Sequence, residues 1–330
     1  MDSENRKQKR WLRHCPHVAF FIGLAILPLC LSSYGTSLLT EILIYGIFAL
    51  SLNLLLGYTG LPSFGHAAFF GIGAYTVGFL TKSLLFGKAI TSFIIVAGVG
   101  LAASVAVSML FGILVVGSGG ATFLMLTLAL AQVLWAMAFS WRSLTGGDDG
   151  MANIGQLDFG LPFEMDRTAI FCYVALIFFI LSYIMLRRIV RSPFGHALVG
   201  IRENELRMKA LGYNTWRYKY TAYVIAGLFG GLAGILHAYF YRYVGPYDLG
   251  IDLSGSAMFM VIIGSRTVFT GPVVGAAIVV LMKHLVGSLT EYWPFFLGVV
   301  FVGTVMYARK GICAYVMDDV KKWITGRWKS

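Results

Sequence analysis

Between residues 18 and 307 the chain is a succession of ten apolar runs separated by short polar stretches, a pattern that few folds can accept. The runs cover residues 18–34, 38–56, 64–80, 89–117, 121–141, 168–186, 220–239, 249–265, 271–287 and 294–307. A hydrocarbon layer about 30 Å thick needs roughly 20 helical residues, fewer where a helix is broken or backed by its neighbours. Composition excludes the soluble alternative: 58% of the 330 residues are hydrophobic and 12% charged, against roughly 45–50% and about 25% in ordinary soluble domains. The 39 glycines show no Gly-X-Y period and suit close helix contact in a membrane. The expected fold is therefore an all-α, polytopic transmembrane helical bundle of about ten spans.

Charge sets the expected orientation. Lys and Arg gather in the N-terminal tail (Arg6, Lys7, Lys9, Arg10, Arg13), between residues 187 and 219, at Arg266 and in the C-terminal tail. Alternating the spans from a cytoplasmic N-terminus puts all of these on one side and leaves only Lys82, Lys88, Arg142, Arg167, Arg242 and Lys283 toward the other. Both termini are thus expected in the cytoplasm, and the net charge of +11 reads as membrane topology, not nucleic-acid binding. The expected parts are a basic tail at 1–17, a transmembrane domain at 18–307 and a basic tail at 308–330. A cytoplasmic loop spans 187–219 and an outer loop 142–167. The basic start, short apolar run and Ser32-Ser33 also fit a cleaved leader, which would leave nine spans with the same orientation.

Function classes narrow by what the spans lack. Ion-coupled carriers place ionisable groups near mid-membrane. Here Glu41 and Lys283 lie toward the outer ends of their spans, His66 sits beside a break, and only His237 falls well inside another span. No Walker loop, GxSxG, HExxH or intramembrane carboxylate pair is present, and Cys15, Cys30, Cys172 and Cys313 form no CxxC. Neither catalysis, a metal site nor ATP binding is expected in this chain. Transport against a gradient would draw its energy from a partner.

Two stretches carry the positive signal. Glycines and Pro62 make an uninterrupted helix through residues 57–73 unfavourable, so a broken or re-entrant segment is expected there. Its helix ends offer partial charges that suit a zwitterionic solute, and Asn53, Tyr58, Ser63 and His66 are the polar groups expected to line the path. The alternative for each is a tie within a tight helix junction. Thr145, Gly146, Gly147 and Asp148 are expected on the outer face, at the entrance or in an ordinary glycine turn. Gly227, Gly230, Gly231 and Gly234 form overlapping GxxxG spacings expected to bring helices close.

The second stretch is the loop. Ser192-Pro193 reads as an N-cap with proline at the first helical position, and Gly212 as a left-handed helix stop. One or two short helices follow, with Leu198, Ile201, Leu206, Met208 and Leu211 apolar and Glu203→Arg207 and Glu205→Lys209 as i,i+4 pairs. A merely basic linker would need no caps.

The loop RSPFGHALVGIRENELRMKALGYNTWRYK, the stretch ALSLNLLLGYTGLPSFGHAAFFGIGAYT at 49–76, TGGDDGM near residue 145 and GSRTVFTGPVVGA at 264–276 together resemble the LivM-like permease family of bacterial branched-chain amino-acid ABC importers. In place of a Gln and an aliphatic residue common in that family, this chain has Leu61-Pro62. The resemblance implies that the loop docks on a cytoplasmic ATPase through Arg191, Ser192, Pro193, Phe194, Gly195, Ile201, Arg202, Glu203, Asn204, Leu211 and Gly212. It further implies a second, LivH-like permease subunit, two ATPase subunits that hold ATP and Mg, a periplasmic binding protein and a place in the bacterial inner membrane. No cofactor is expected in this chain. Branched-chain or related amino acids are the implied cargo, with urea or amides inside the same class and an ion-coupled carrier or facilitator as the alternative outside it.

Overall fold

Eight of the ten expected spans fall wholly within the described part of the chain and a ninth, 89–117, does so from residue 92, and each of these nine is helical there. The computed structural model describes residues 31–82, 92–155, 167–308 and 311–315, together with Gly23, Leu27 and Pro28. The N-terminal tail, most of the C-terminal tail, most of the expected first span, residues 156–166 of the expected outer loop, Cys15, Cys30 and Lys88 lie outside the described residues.

The helices are α1 (Ser33–Asn53), α2 (His66–Thr81), α3 (Phe93–Val115), α4 (Gly120–Ser140), α5 (Arg142–Thr145) and α6 (Arg167–Arg191). They continue as α7 (Pro193–Glu203), α8 (Glu205–Ala210), α9 (Thr215–Tyr241), α10 (Ile251–Gly264), α11 (Gly271–Gly287) and α12 (Trp293–Tyr307). Among the described residues five stretches are long and apolar enough to cross a membrane: Ser33–Thr59, Phe93–Val115, Gly120–Ser140, Thr168–Arg191 and Thr215–Tyr241. Helices α2, α10, α11 and α12 have only 14 to 17 residues. Their backbones are self-satisfied, and α2 in particular is shielded on almost every side. This is the all-α architecture of a polytopic membrane protein.

Helices α1, α2 and α9 form the interior. α2, α3 and α9 pack on one another, while α1 packs on α6, α9 and α11, with α10 laid against α11. Small residues set the spacing. A Cβ on Gly227 or Gly231 would come within 2.4 and 2.2 Å of Ser108 and Ser104 of α3, and one on Gly234 within 1.9 Å of the Phe70 carbonyl of α2. The two GxxxG spacings therefore serve two different neighbours, as the sequence leads one to expect. Gly230, with 3.4 Å to its nearest atom, is the roomiest of the four. Around this interior, α3, α4, α6 and α12 turn Ile94, Ile113, Met125, Ile177, Val302 and Met306 outward, an apolar belt suited to lipid or to another membrane chain.

Loops at opposite ends define two faces. At one end a two-residue antiparallel ladder pairs β1 (Met151–Ala152) with β2 (Tyr243–Val244), with Met151 opposite Val244. At the other end lie α7 and α8, next to the junction between α1 and α2.

Candidate functional site

The chain leaves α-helical geometry at Leu54. Leu54–Thr59 make one turn of π-helix, in which the Thr59 hydroxyl donates to the Leu54 carbonyl at 2.8 Å and Leu61 N–H to the Leu55 carbonyl at 2.9 Å. Gly60 follows in the left-handed region at φ +75°, a conformation only glycine takes without penalty. Residues 61–65 are irregular, and helix resumes at His66. The interruption is therefore shorter than the expected 57–73. Gly71 and Gly73 belong to regular helix, where they admit Leu249 and the Gly231 backbone, each 2.3 Å from a notional Cβ. Close packing, not breakage, is the reason for those glycines.

Of the expected path residues, Asn53, Ser63 and His66 are buried and Tyr58 is half-buried. Both polar atoms of the Asn53 amide, the Ser63 hydroxyl and His66 Nδ1 have no hydrogen-bond partner among the described residues. His66 Nε2 is satisfied by the Ser51 hydroxyl at 2.7 Å, one helical turn below Phe48, whose ring it stacks against at 5.1 Å. Leaving a buried polar group unpaired costs about 1–3 kcal/mol, and these four atoms flank the helix break, while Tyr75, Ser182, Tyr223, His237 and Tyr239 carry others elsewhere in the bundle. The freed backbone is partly covered: Ala67 N–H donates to Ser254 Oγ of α10 at 2.9 Å, and the Gly57 carbonyl accepts from the Arg202 guanidinium.

The loop is built as its caps foretell. Ser192 accepts from Gly195 N–H at 3.5 Å, Pro193 opens α7, and Gly212 ends α8 at φ +86°. Gly195 has no space for a side chain, since a Cβ would lie 2.1 Å from the Val190 carbonyl at the end of α6. Ala197, Leu198 and Ile201 are buried, and Phe194 stacks on Tyr218 at 5.5 Å. Asn204 is extended and caps α8 by accepting from Arg207 N–H at 2.9 Å. Glu203 and Arg207 consequently sit on different helices, and the expected i,i+4 pair between them is not formed within one helix. Glu205 does pair with Lys209 at 3.1 Å, and also accepts from Lys219 and from Thr215 at 3.0 Å. Partial burial pushes its carboxyl upward, but the hydrogen bonds from Lys219, Lys209 and Thr215 outweigh that and hold it below the usual carboxylate value. Leu206 and Leu211, expected to keep the segment apolar, instead face outward at 78% and 67% exposure, with Arg191, Glu203 and Asn204 exposed beside them.

At the opposite face the Thr145 hydroxyl donates to the Ala138 carbonyl at 2.6 Å and accepts from Gly147 N–H at 3.3 Å. Gly146 and Gly147 both take positive φ, so these three residues form a glycine turn, and only Asp148 is exposed. Sequence reasoning singles out Glu41, Lys283 and His237 but not the contacts they make. The carboxylate of Glu41, 2% exposed, meets Lys283 Nζ at 3.0 Å and His284 Nε2 at 2.6 Å. His237 sits four residues from the end of α9, not deep within it, with Nδ1 3.8 Å from Asp248 Oδ1. Glu41 and Lys283 each stand out as a charge near the outer end of an apolar run, but nothing in the sequence pairs them or brings His284 to the same carboxylate. No group of three or more His, Cys, Asp or Glu able to hold a metal occurs among the described residues.

Comparison with known proteins agrees with this architecture. The family model described as "Branched-chain amino acid transport system / permease component" matches residues 35–305. The high-affinity branched-chain amino acid transport system permease protein LivM of Escherichia coli is 27% identical over 97% of this chain and 78% of its own length. The protein of the same name from Salmonella typhimurium is 26% identical over the same shares. A probable branched-chain amino acid transport permease protein LivM of Methanocaldococcus jannaschii is 25% identical, covering 78% of this chain and 83% of its own. No solved structure matches. The chain thus belongs to the family of branched-chain amino acid transport system permease components.

Proposed function

We propose that this chain is one permease subunit of an ATP-driven importer and that branched-chain or related amino acids pass along the interruption between α1 and α2. The observation that carries the reading is the set of buried, unpaired polar atoms of Asn53, Ser63 and His66 beside a helix break. They offer donors and acceptors to a small zwitterion without a fixed charge that would trap it. Tyr58 borders the same turn. Sparse polarity fits a path that passes a solute chosen elsewhere, by a periplasmic binding protein meeting the face that carries Asp148.

The residues 187–219 loop supplies the other half of the reading. Its capped helices present Leu206 and Leu211 to the outside, an apolar pair that a cytoplasmic ATPase would cover, with Ser192, Pro193, Gly195 and Gly212 fixing the shape beneath. ATP and Mg would be held on two such ATPase subunits, and a second, LivH-like permease would cover part of the apolar belt. On this reading the chain lies in the bacterial inner membrane with both termini cytoplasmic, and the permease domain at 18–307 runs between two basic tails. The test is co-purification of the assembly with its binding protein, followed by measurement of which solutes that protein binds. Leu, Ile or Val is the expected outcome; urea or an amide would move the cargo within the class. Leu206→Glu with Leu211→Glu should strip the ATPase from the purified complex while the permease remains membrane-inserted, and full retention would refute the docking surface.

A further inference from the structure

We infer that Arg202 is the strut that joins the surface loop to the interrupted helix, so that displacement of α7 is delivered directly to the π-turn of the translocation path. The inference deepens the permease reading and rests on it. Arg202 occupies the last turn of α7, a helix anchored by Ser192, by the Gly195–Val190 backbone contact and by buried Leu198 and Ile201. One would expect an exposed arginine on a docking loop to face a partner. Its guanidinium instead donates to the Gly57 carbonyl, 145 positions earlier in the chain.

The stem of the same side chain matters independently. Arg202 Cγ lies 2.6 Å from where a Gly60 Cβ would stand, so one residue holds both the carbonyl and the left-handed glycine that follows it. Gly57 is enclosed on its remaining sides by Asn53 Oδ1 and the Arg266 carbonyl, at 2.1 and 2.6 Å from a notional Cβ. The turn departs from the regular helix on either side, because a π-turn and a left-handed glycine replace the i→i−4 ladder. Without Arg202 the Gly57 carbonyl would lose its side-chain donor at a depth where backbone groups need one. A shift of α7 pulls on Gly57 through this contact, and Gly57 bears on Asn53, the first of the path residues. Arg202 is a positioning residue: it acts on solute through the turn.

The experiment compares wild type, Arg202→Gln and Arg202→Lys in the complete importer with its binding protein, reconstituted in liposomes. Uptake and ATP hydrolysis are measured on the same vesicles, and amide hydrogen exchange is followed over residues 54–61. The expected result for Arg202→Gln is at least a tenfold loss of uptake with ATP hydrolysis within twofold of wild type, and faster exchange in the turn. Arg202→Lys, which keeps a charged donor, should recover part of the uptake. Unchanged solute moved per ATP in Arg202→Gln, parallel loss of uptake and hydrolysis, or unchanged exchange at 54–61 would each overturn the strut. Failure of the wild-type assembly to couple ATP to uptake would instead count against the permease reading, and the exchange measurement would still decide whether Arg202 holds the turn.

Discussion

Glu41 of α1 and Lys283 of α11, 242 positions apart in the chain, meet at 3.0 Å on the side of the bundle opposite the α7–α8 loop. His284 closes on the other carboxylate oxygen, so a charge that is costly within an apolar helix is answered twice from one neighbouring helix. The contact pins α1 to α11 and closes the loop of chain between them.

Removing one side of this arrangement should hurt more than removing both. Lys283→Met leaves Glu41 with His284 and Tyr241; because Lys283 is 42% exposed, the cost should be about 1–3 kcal/mol, at or below the range for breaking a buried pair. Glu41→Met with Lys283→Met should recover most of that loss. Thermal unfolding of the purified chain in detergent checks it: a double variant less stable than Lys283→Met contradicts the account.

Helix spacing gives a second test. Gly234→Ala forces a methyl against the Phe70 carbonyl and should destabilise by about 1–3 kcal/mol, as overpacking does. Gly98→Ala, with open space around it, should be neutral or slightly stabilising through helix propensity. Equal melting temperatures for the two variants would refute the close α2–α9 contact.

Acid should loosen the loop through Glu205. Its carboxyl titrates lower in the folded protein than in the unfolded chain, so its contribution to stability is complete above the ordinary carboxylate value and disappears as pH falls through the lowered one. Wild type should therefore exceed Glu205→Gln in melting temperature at pH 7, and the gap should close toward pH 3. A gap that stays constant over that range would show that Lys219, Lys209 and Thr215 do not set the titration.

How far the sequence already spoke differs from element to element. The spans, the Ser192 and Gly212 caps and the small-residue faces of α9 depend on local pattern, and the chain carries that pattern openly. The break was visible in Gly60 and Pro62, but its C-terminal edge was not, because Gly71 and Gly73 look alike whether they break a helix or admit a neighbour. The ties from Arg202 to Gly57, from Ser254 to Ala67 and from Glu41 to Lys283 join positions that only tertiary packing brings together, and no spacing in the sequence announces them.

Energy source is where the whole account is most exposed. The decisive measurement is uptake of radiolabelled leucine into proteoliposomes that hold this chain with its second permease, its ATPases and its binding protein, with ATP supplied or withheld on the face of the α7–α8 loop and with ion gradients collapsed. The account predicts accumulation only when ATP reaches that face, and its loss when Leu206→Glu and Leu211→Glu detach the ATPase. Accumulation driven by a proton or sodium gradient through this polypeptide alone would contradict it.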